Sequence, residues 1–133
     1  MFQLDDRLVN DTTFVASFEL CDLLLHNDAR YPWLILVPRV PEVTDAFQLS
    51  FEQHTQLIRE SRQVCELMQH LFKPTKLNVA AIGNIVRQLH VHHVARFAFD
   101  DAWPGPIWGY GEATARTDNE RIVMLNKILA AID

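Results

Sequence analysis

Glycine is scarce in this chain, with four in 133 residues and none before Gly83. Most of the six prolines fall in two short pieces, Tyr31–Pro41 and Asp101–Ile107. Chain breakers are thus concentrated, and the stretches between them are free to form regular structure. Two cysteines, Cys21 and Cys65, are too few and too far apart for a disulfide framework or a zinc knuckle. They are expected as buried thiols in a reducing compartment. The longest apolar run, Trp33–Pro38, is far short of the roughly 20 residues that cross a bilayer. The N-terminus lacks the basic and apolar regions of a secretory leader, so a cytoplasmic protein with no membrane partner is expected. Basic charge is in deficit: a net charge of −5 excludes a general nucleic-acid binder, which needs a basic footprint. It leaves room for a small anionic ligand at a local site. Repeats, low-complexity tracts and linker-like stretches are missing too, so residues 1–133 are expected to form one domain.

What is present segments cleanly. Thr13–Phe18 is β-branched and aromatic at strand length, and Leu23–His26 follows as a second strand closed by an Asn27-Asp28 turn. Trp33–Val37, ended by Pro38, has the continuous apolar character of a strand buried on both faces. Ser50-Phe51-Glu52-Gln53 is a capping box opening a helix of about six turns. Its apolar face is Leu57, Ile58, Val64, Leu67, Met68, Leu71 and Phe72, and its polar face is Glu52, Gln56, Glu60, Gln63, Glu66 and Gln69. Pro74 stops it. Leu77–Ile82 and Gln88–Ala95 are two further strands joined across Gly83-Asn84. A second capping box, Thr117-Asp118-Asn119-Glu120, opens a C-terminal helix ending near Ile132. The predicted fold class is α+β with a mainly antiparallel sheet.

The chemistry concentrates between Gly83 and Arg96. On a strand, side chains alternate, so Gln88, His90 and His92 share one face and His93 faces the other way. Two imidazoles and an amide in a row are costly to bury for packing alone, because each needs hydrogen-bond partners. The same row suits a site where an oxyanion is attacked, held and released. A neutral imidazole nitrogen is a competent nucleophile at neutral pH. Attack on an α-phosphorus would give a nucleotidyl-histidine and split one hard displacement into two easier ones. The other ring nitrogen must then donate to a fixed acceptor, and a neighbouring histidine can steady the phosphate charge or protonate the leaving oxygen. Backbone amides near Gly83, with the Asn84 side chain, add donors for phosphate oxygens.

The segment Gln88-Leu89-His90-Val91-His92-His93-Val94-Ala95-Arg96 resembles the signature of the histidine triad (HIT) family, His-φ-His-φ-His-φ-φ with φ apolar. Counting back from Arg96 sets the register: His92 stands at the last triad position, His90 at the middle one and Gln88 at the first. Gly83-Asn84, the strand Trp33–Pro38 followed by Arg39, the long helix and the later Trp103-Pro104-Gly105-Pro106 are also similar to the family's pattern. The resemblance covers roughly Asp22 to Trp108. It implies a HIT-like fold, a homodimer, and hydrolysis or transfer at the α-phosphate of a nucleoside polyphosphate (diadenosine polyphosphate-like) or phosphoramidate. By position it implies His90 as nucleophile, with His92 contacting phosphate. Gln88 would orient in place of a histidine, Asn84 and Gly83 would bind phosphate, and Asn27 would bind ribose hydroxyls. Glutamine cannot titrate, so proton transfer is lost at that position. Ile85 stands where many members have a hydroxyl residue, and Trp33 where many have another histidine.

Two other readings stand beside this one. The departures at Gln88, Ile85 and Trp33 motivate a nucleotide-binding sensor or adaptor with little or no catalysis. A His90/His92 metal pair would need a nearby carboxylate, and residues 67–99 contain neither Asp nor Glu. No metal ligands and no cofactor are expected, and a divalent ion accompanying the nucleotide is left open. His26, His54 and His70 are expected as solvated or capping residues, and His93 as a packing or surface residue. Trp103, Trp108 and Tyr110 are expected either to line a base pocket, to cover a dimer seam, or to pin their loop.

Overall fold

The computed structural model describes residues 1–132. A short helix α1 (Asp6–Asp11) precedes strands β1 (Thr12–Ser17), β2 (Cys21–His26) and β3 (Trp33–Pro38). A single 3-10 turn, Ala46–Gln48, leads into the long helix α2 (Phe51–Phe72). Strands β4 (Lys76–Ala80) and β5 (Val91–Arg96) follow, and α3 (Asp118–Ile132) closes the described chain. The strands form one antiparallel sheet in the order β1-β2-β3-β5-β4. The fold is α+β.

Helix α2 begins where its local chemistry dictates. The Gln53 amide donates to Ser50 Oγ at 3.1 Å, and the Ser50 amide donates to Gln53 Oε1 at 2.9 Å. Such a reciprocal cap satisfies two otherwise orphaned donors and contributes about 1 kcal/mol. At the other end Lys73 takes a left-handed conformation, its N–H returning to Gln69 O, and Pro74 bars continuation. The buried face includes Leu57, Val64 and Met68, and it also includes Glu60, which the helical periodicity assigns to solvent. The Glu60 carboxylate is buried because it accepts from the backbone amides of Leu20 and Cys21, at 2.9 and 2.8 Å, in the β1–β2 turn. With these two amides and Gln56 Nε2 at 2.7 Å as donors, the buried side chain is satisfied and ties α2 to the sheet. The second capping box also forms, with Thr117 and Glu120 exchanging hydrogen bonds at the start of α3.

The sheet separates two apolar layers. On the helical face Leu23, Leu25, Leu34, Leu36 and Ala95 pack with Leu57, Val64, Met68 and Ile128. On the opposite face Leu24, Trp33, Ile35, Val37 and Val94 pack with Leu8, Tyr31, Ala102 and Ile107. All six residues of β3 are buried, as a central strand covered on both sides requires. His90 and His92 belong to the second face, which loops and α1 cover instead of long helices.

Two features differ from the pattern read in the sequence. β4 ends at Ala80 and β5 begins only at Val91, so Gln88, Leu89 and His90 precede the strand. The chain leaves the ladder there because its polar groups find distant partners: the Leu89 amide donates to Val43 O at 2.9 Å, and the Gln88 side chain engages the N-terminal segment. Helix α1 was not expected. Asp5 caps it through the Arg7 amide at 2.8 Å, and only Leu8 is buried. Among the described residues no helix is long and apolar enough to cross a membrane.

Candidate active site

His90 and His92 meet across a cavity of about 500 Å³ on the loop-covered face of the sheet. β3 and β5 hold His92 in register opposite Ile35, and its ring centroid lies 4.8 Å from that of His90, nearly perpendicular. Both residues are buried to within a few per cent of their surface. Their alternate positions place both rings toward one cavity even though the strand begins one residue after His90.

Hydrogen bonding fixes the tautomer of each ring. His90 Nδ1 lies 2.7 Å from the carbonyl oxygen of Gln88. A carbonyl only accepts, so Nδ1 carries the proton and Nε2 of the neutral ring keeps its lone pair. His92 is set the opposite way. The Trp33 indole N–H, which only donates, reaches His92 Nδ1 at 3.0 Å, leaving the proton of His92 on Nε2. Burial pushes the His92 pKa down to about 3, reinforced by His90, His26 and His93 nearby, so the ring is neutral at physiological pH. One imidazole therefore presents a lone pair where the other presents an N–H.

His26 is part of this constellation. The β2–β3 register places Leu25 opposite Leu34, and one further step puts His26 across from Trp33. The rings stack at 3.7 Å, within 5° of parallel. Burial lowers the His26 pKa to about 4, so it too is neutral. Of the expected solvated or capping role, the capping half holds, because His26 Nδ1 accepts from the Asp28 amide at 3.1 Å, while the stack on Trp33 replaces the solvated one. A strand-terminal histidine seven residues before a tryptophan, with a turn between them, was the available signal.

The remaining expected residues divide. Gly83 and Asn84 line the cavity, Gly83 at φ 64° and Asn84 with no hydrogen bond to the rest of the described protein. Ile85 lines it as well. Gln88 contributes its carbonyl to His90, but its side chain is taken up elsewhere: Nε2 donates to Gln3 O and Oε1 accepts from the Asp5 amide, both at 2.9 Å. Gln88 borders only a smaller adjoining cavity that it shares with His90 and Gly83. Asn27 lies outside the large cavity, its carboxamide oxygen accepting from Thr13 Oγ1 at 3.1 Å. The turn places the next residue inward instead. Asp28 is buried at the cavity wall, held by Arg30 at 2.9 Å and by the Thr114 amide at 3.2 Å. Arg30 and backbone donors hold its carboxyl below the usual range, against the opposing effect of burial.

Trp108 lines the cavity edge-on to His92, with ring centroids 5.3 Å apart. Trp103 instead rests against the buried Arg96 guanidinium, 5.7 Å from its ring centroid. Arg96 also bonds Asp100, Asn78 and the Gly105 carbonyl. That network fixes the loop that carries Trp108 over the site. His93 packs on the helical face, with Nε2 2.7 Å from Ser61 Oγ. Among the described residues no three histidine, cysteine or acidic side chains converge as metal ligands do.

Comparison with known proteins agrees with this architecture. The HIT domain family model matches residues 7–99. A histidine triad protein from Marinobacter aquaeolei is 43% identical, with a TM-score of 0.96 over 99% of this chain and 96% of its own. A histidine triad protein from Bradyrhizobium japonicum is 38% identical, with a TM-score of 0.96 over 99% of this chain and 98% of its own. One from Sinorhizobium meliloti is 38% identical, with a TM-score of 0.95 over 98% and 96%. No curated protein matches. A family model that spans most of the chain, together with near-complete overlap with three histidine triad structures, makes the chain a member of the HIT family, within a superfamily of nucleotide-binding hydrolases and transferases.

Proposed function

We propose that the protein is a nucleotidyl hydrolase or transferase acting at the α-phosphate of a nucleoside polyphosphate, such as a diadenosine polyphosphate, or of a phosphoramidate. The observation that carries this reading is the 2.7 Å hydrogen bond from His90 Nδ1 to the Gln88 carbonyl, which leaves Nε2 as a fixed lone pair at the cavity. In the first step Nε2 bonds to the α-phosphorus while the bond from phosphorus to the leaving group breaks; a phosphate leaves with the electron pair, and a leaving amine takes a proton from solvent. In the second step water or another acceptor attacks that phosphorus and gives its proton to solvent, the phosphorus–nitrogen bond breaks, and neutral His90 is regenerated. His92 Nε2–H donates to a non-bridging oxygen, where charge accumulates in both transition states. Because His92 is neutral, this donor costs no proton and needs no recharging between steps. Gly83 and Asn84 supply the remaining phosphate contacts, and the Trp33, Trp108 and His26 rings supply apolar and π surface for a base.

A second reading, a nucleotide-binding sensor with negligible turnover, is favoured by one observation. No titratable side chain stands at position 88 to pass a proton to the leaving group, and the amide there is already engaged. Incubation with adenosine and guanosine polyphosphates and phosphoramidates, followed by chromatography, separates the two. Product formation supports the enzyme, whereas tight calorimetric binding without product supports the sensor. The family resemblance also implies a homodimer. The outer strand β4 leaves Val79 about half exposed at a sheet edge, and light scattering gives the mass.

A further inference from the structure

The Gln88 side chain makes a contact that the triad chemistry does not use. It donates to Gln3 O and accepts from the Asp5 amide, the two backbone groups flanking Leu4, as a paired strand would. A carboxamide offers a donor and an acceptor side by side on one end, which is what such a pair requires. Asp5 in turn caps α1, and Leu8 anchors that helix in the apolar layer around Trp33. The residue at the first triad position thereby fixes the orientation of α1 against the cavity.

Helix α1 runs along the cavity from the triad toward His26. Its start is tied to Gln88, and at its end the Asn27 amide donates to Asp11 O. Arg7, Leu8 and Asp11 line the cavity from this helix. Four formally charged side chains border the cavity: Arg7, Asp11, Asp28 and Arg30. Arg30 is committed to Asp28 and to the Tyr110 carbonyl. Asp11 lies one turn beyond Arg7, at the His26 end. Arg7 is left with no hydrogen-bond or ion-pair partner for its guanidinium among the described residues, at the end of the helix nearest the triad.

We propose that Arg7, held in place by the Gln88 clamp on residues 3–5, binds the anionic leaving portion of the substrate. The preferred substrate class is then a phosphoanhydride, whose β-phosphate the guanidinium grips, over a phosphoramidate with a neutral leaving amine. This inference rests on the nucleotide reading above and adds to it a selectivity residue and a positioning residue. A guanidinium forms charge-assisted, bidentate hydrogen bonds to phosphate oxygens, and exposure to solvent moderates their strength.

Calorimetry tests this without turnover, using a nucleoside monophosphate and the non-cleavable α,β-methylene analogue of its triphosphate. The parent protein is expected to favour the triphosphate analogue. Arg7→Ala is expected to shrink the triphosphate-to-monophosphate affinity ratio about tenfold, and Arg7→Lys to retain most of it. Gln88→Leu is expected to lower the same ratio, and the double variant to fall no further than Arg7→Ala alone, because both act through one contact. A ratio unchanged within twofold in Arg7→Ala overturns the assignment of Arg7. A double variant that falls well below the single one overturns the clamp. Monophosphate binding with an unaltered ratio sinks this inference alone. Failure of the parent to bind either ligand sinks the proposed function with it.

Discussion

His90 and His92 carry their ring protons on opposite nitrogens: Nδ1 of His90 donates to the Gln88 carbonyl, while Nδ1 of His92 accepts from the Trp33 indole. The two bonds, 2.7 and 3.0 Å long, make two chemically identical side chains different, one presenting a lone pair and the other an N–H. Neither hydrogen bond involves a charged partner: one acceptor is a backbone carbonyl and one donor is an indole. Tryptophan at position 33 thus does for His92 what a second polar ring would do, while also stacking on His26.

Trp33→Phe isolates that contribution. Phenylalanine keeps much of the stack on His26 but leaves His92 Nδ1 without a donor, so the ring is free to hold its proton on either nitrogen. A fall in kcat/KM of about tenfold is expected, corresponding to about 1.4 kcal/mol, the scale of one lost hydrogen bond. Steady-state kinetics with a thermal melt checks this. An unchanged kcat in a folded variant would remove the tautomer from the mechanism.

Gly83→Ala probes the phosphate approach. At φ 64° an added Cβ is strained and would meet the Val86 carbonyl at 3.2 Å. A destabilisation of about 1–2 kcal/mol is expected, confined to the loop, with KM raised several-fold and kcat changed less. A fall in kcat matched by the fall in kcat/KM, with KM unchanged, would place Gly83 in the transition state itself.

Stability should fall on mild acidification. Burial is the leading cause that lowers His26 and His93 to about 4 and His92 to about 3, from an ordinary 6.5. Between those values the unfolded chain binds protons that the folded protein does not. Stability therefore rises with pH through this window, is complete above about 6.5, and is lost as pH drops toward 4. A decrease in Tm of about 10 °C from pH 7 to pH 5 is expected. Asp28 and Asp100, whose pKa values are lowered from 3.8, contribute only at more acidic pH. A flat melting temperature across pH 5–7 would show that the three rings charge freely in the folded state.

The parts legible in the sequence were those governed by near neighbours. The Ser50 and Thr117 caps are built from residues three apart, and the six buried residues of β3 announce a central strand. The shared orientation of His90 and His92 was legible because alternation is a local rule. Long-range partners were not. Gln88 looked like a third member of the row, yet its side chain answers to Gln3 and Asp5, more than 80 residues away. Glu60 sat on the polar side of a helical pattern, yet two amides of a distant turn make its burial tolerable. Helix α1 has one buried residue and no repeat of its apolar pattern, so periodicity could not reveal it. His26 enters the site through strand register, which pairs residues that no single segment brings together.

The most direct test is intact-mass spectrometry of protein quenched in acid-free denaturant during turnover of a nucleoside polyphosphate. The parent protein is expected to gain the mass of one nucleotidyl group, and His90→Asn to gain none while still binding nucleotide within tenfold of the parent. An adduct that persists in His90→Asn would contradict the account. So would product accumulating at the parental rate in that variant.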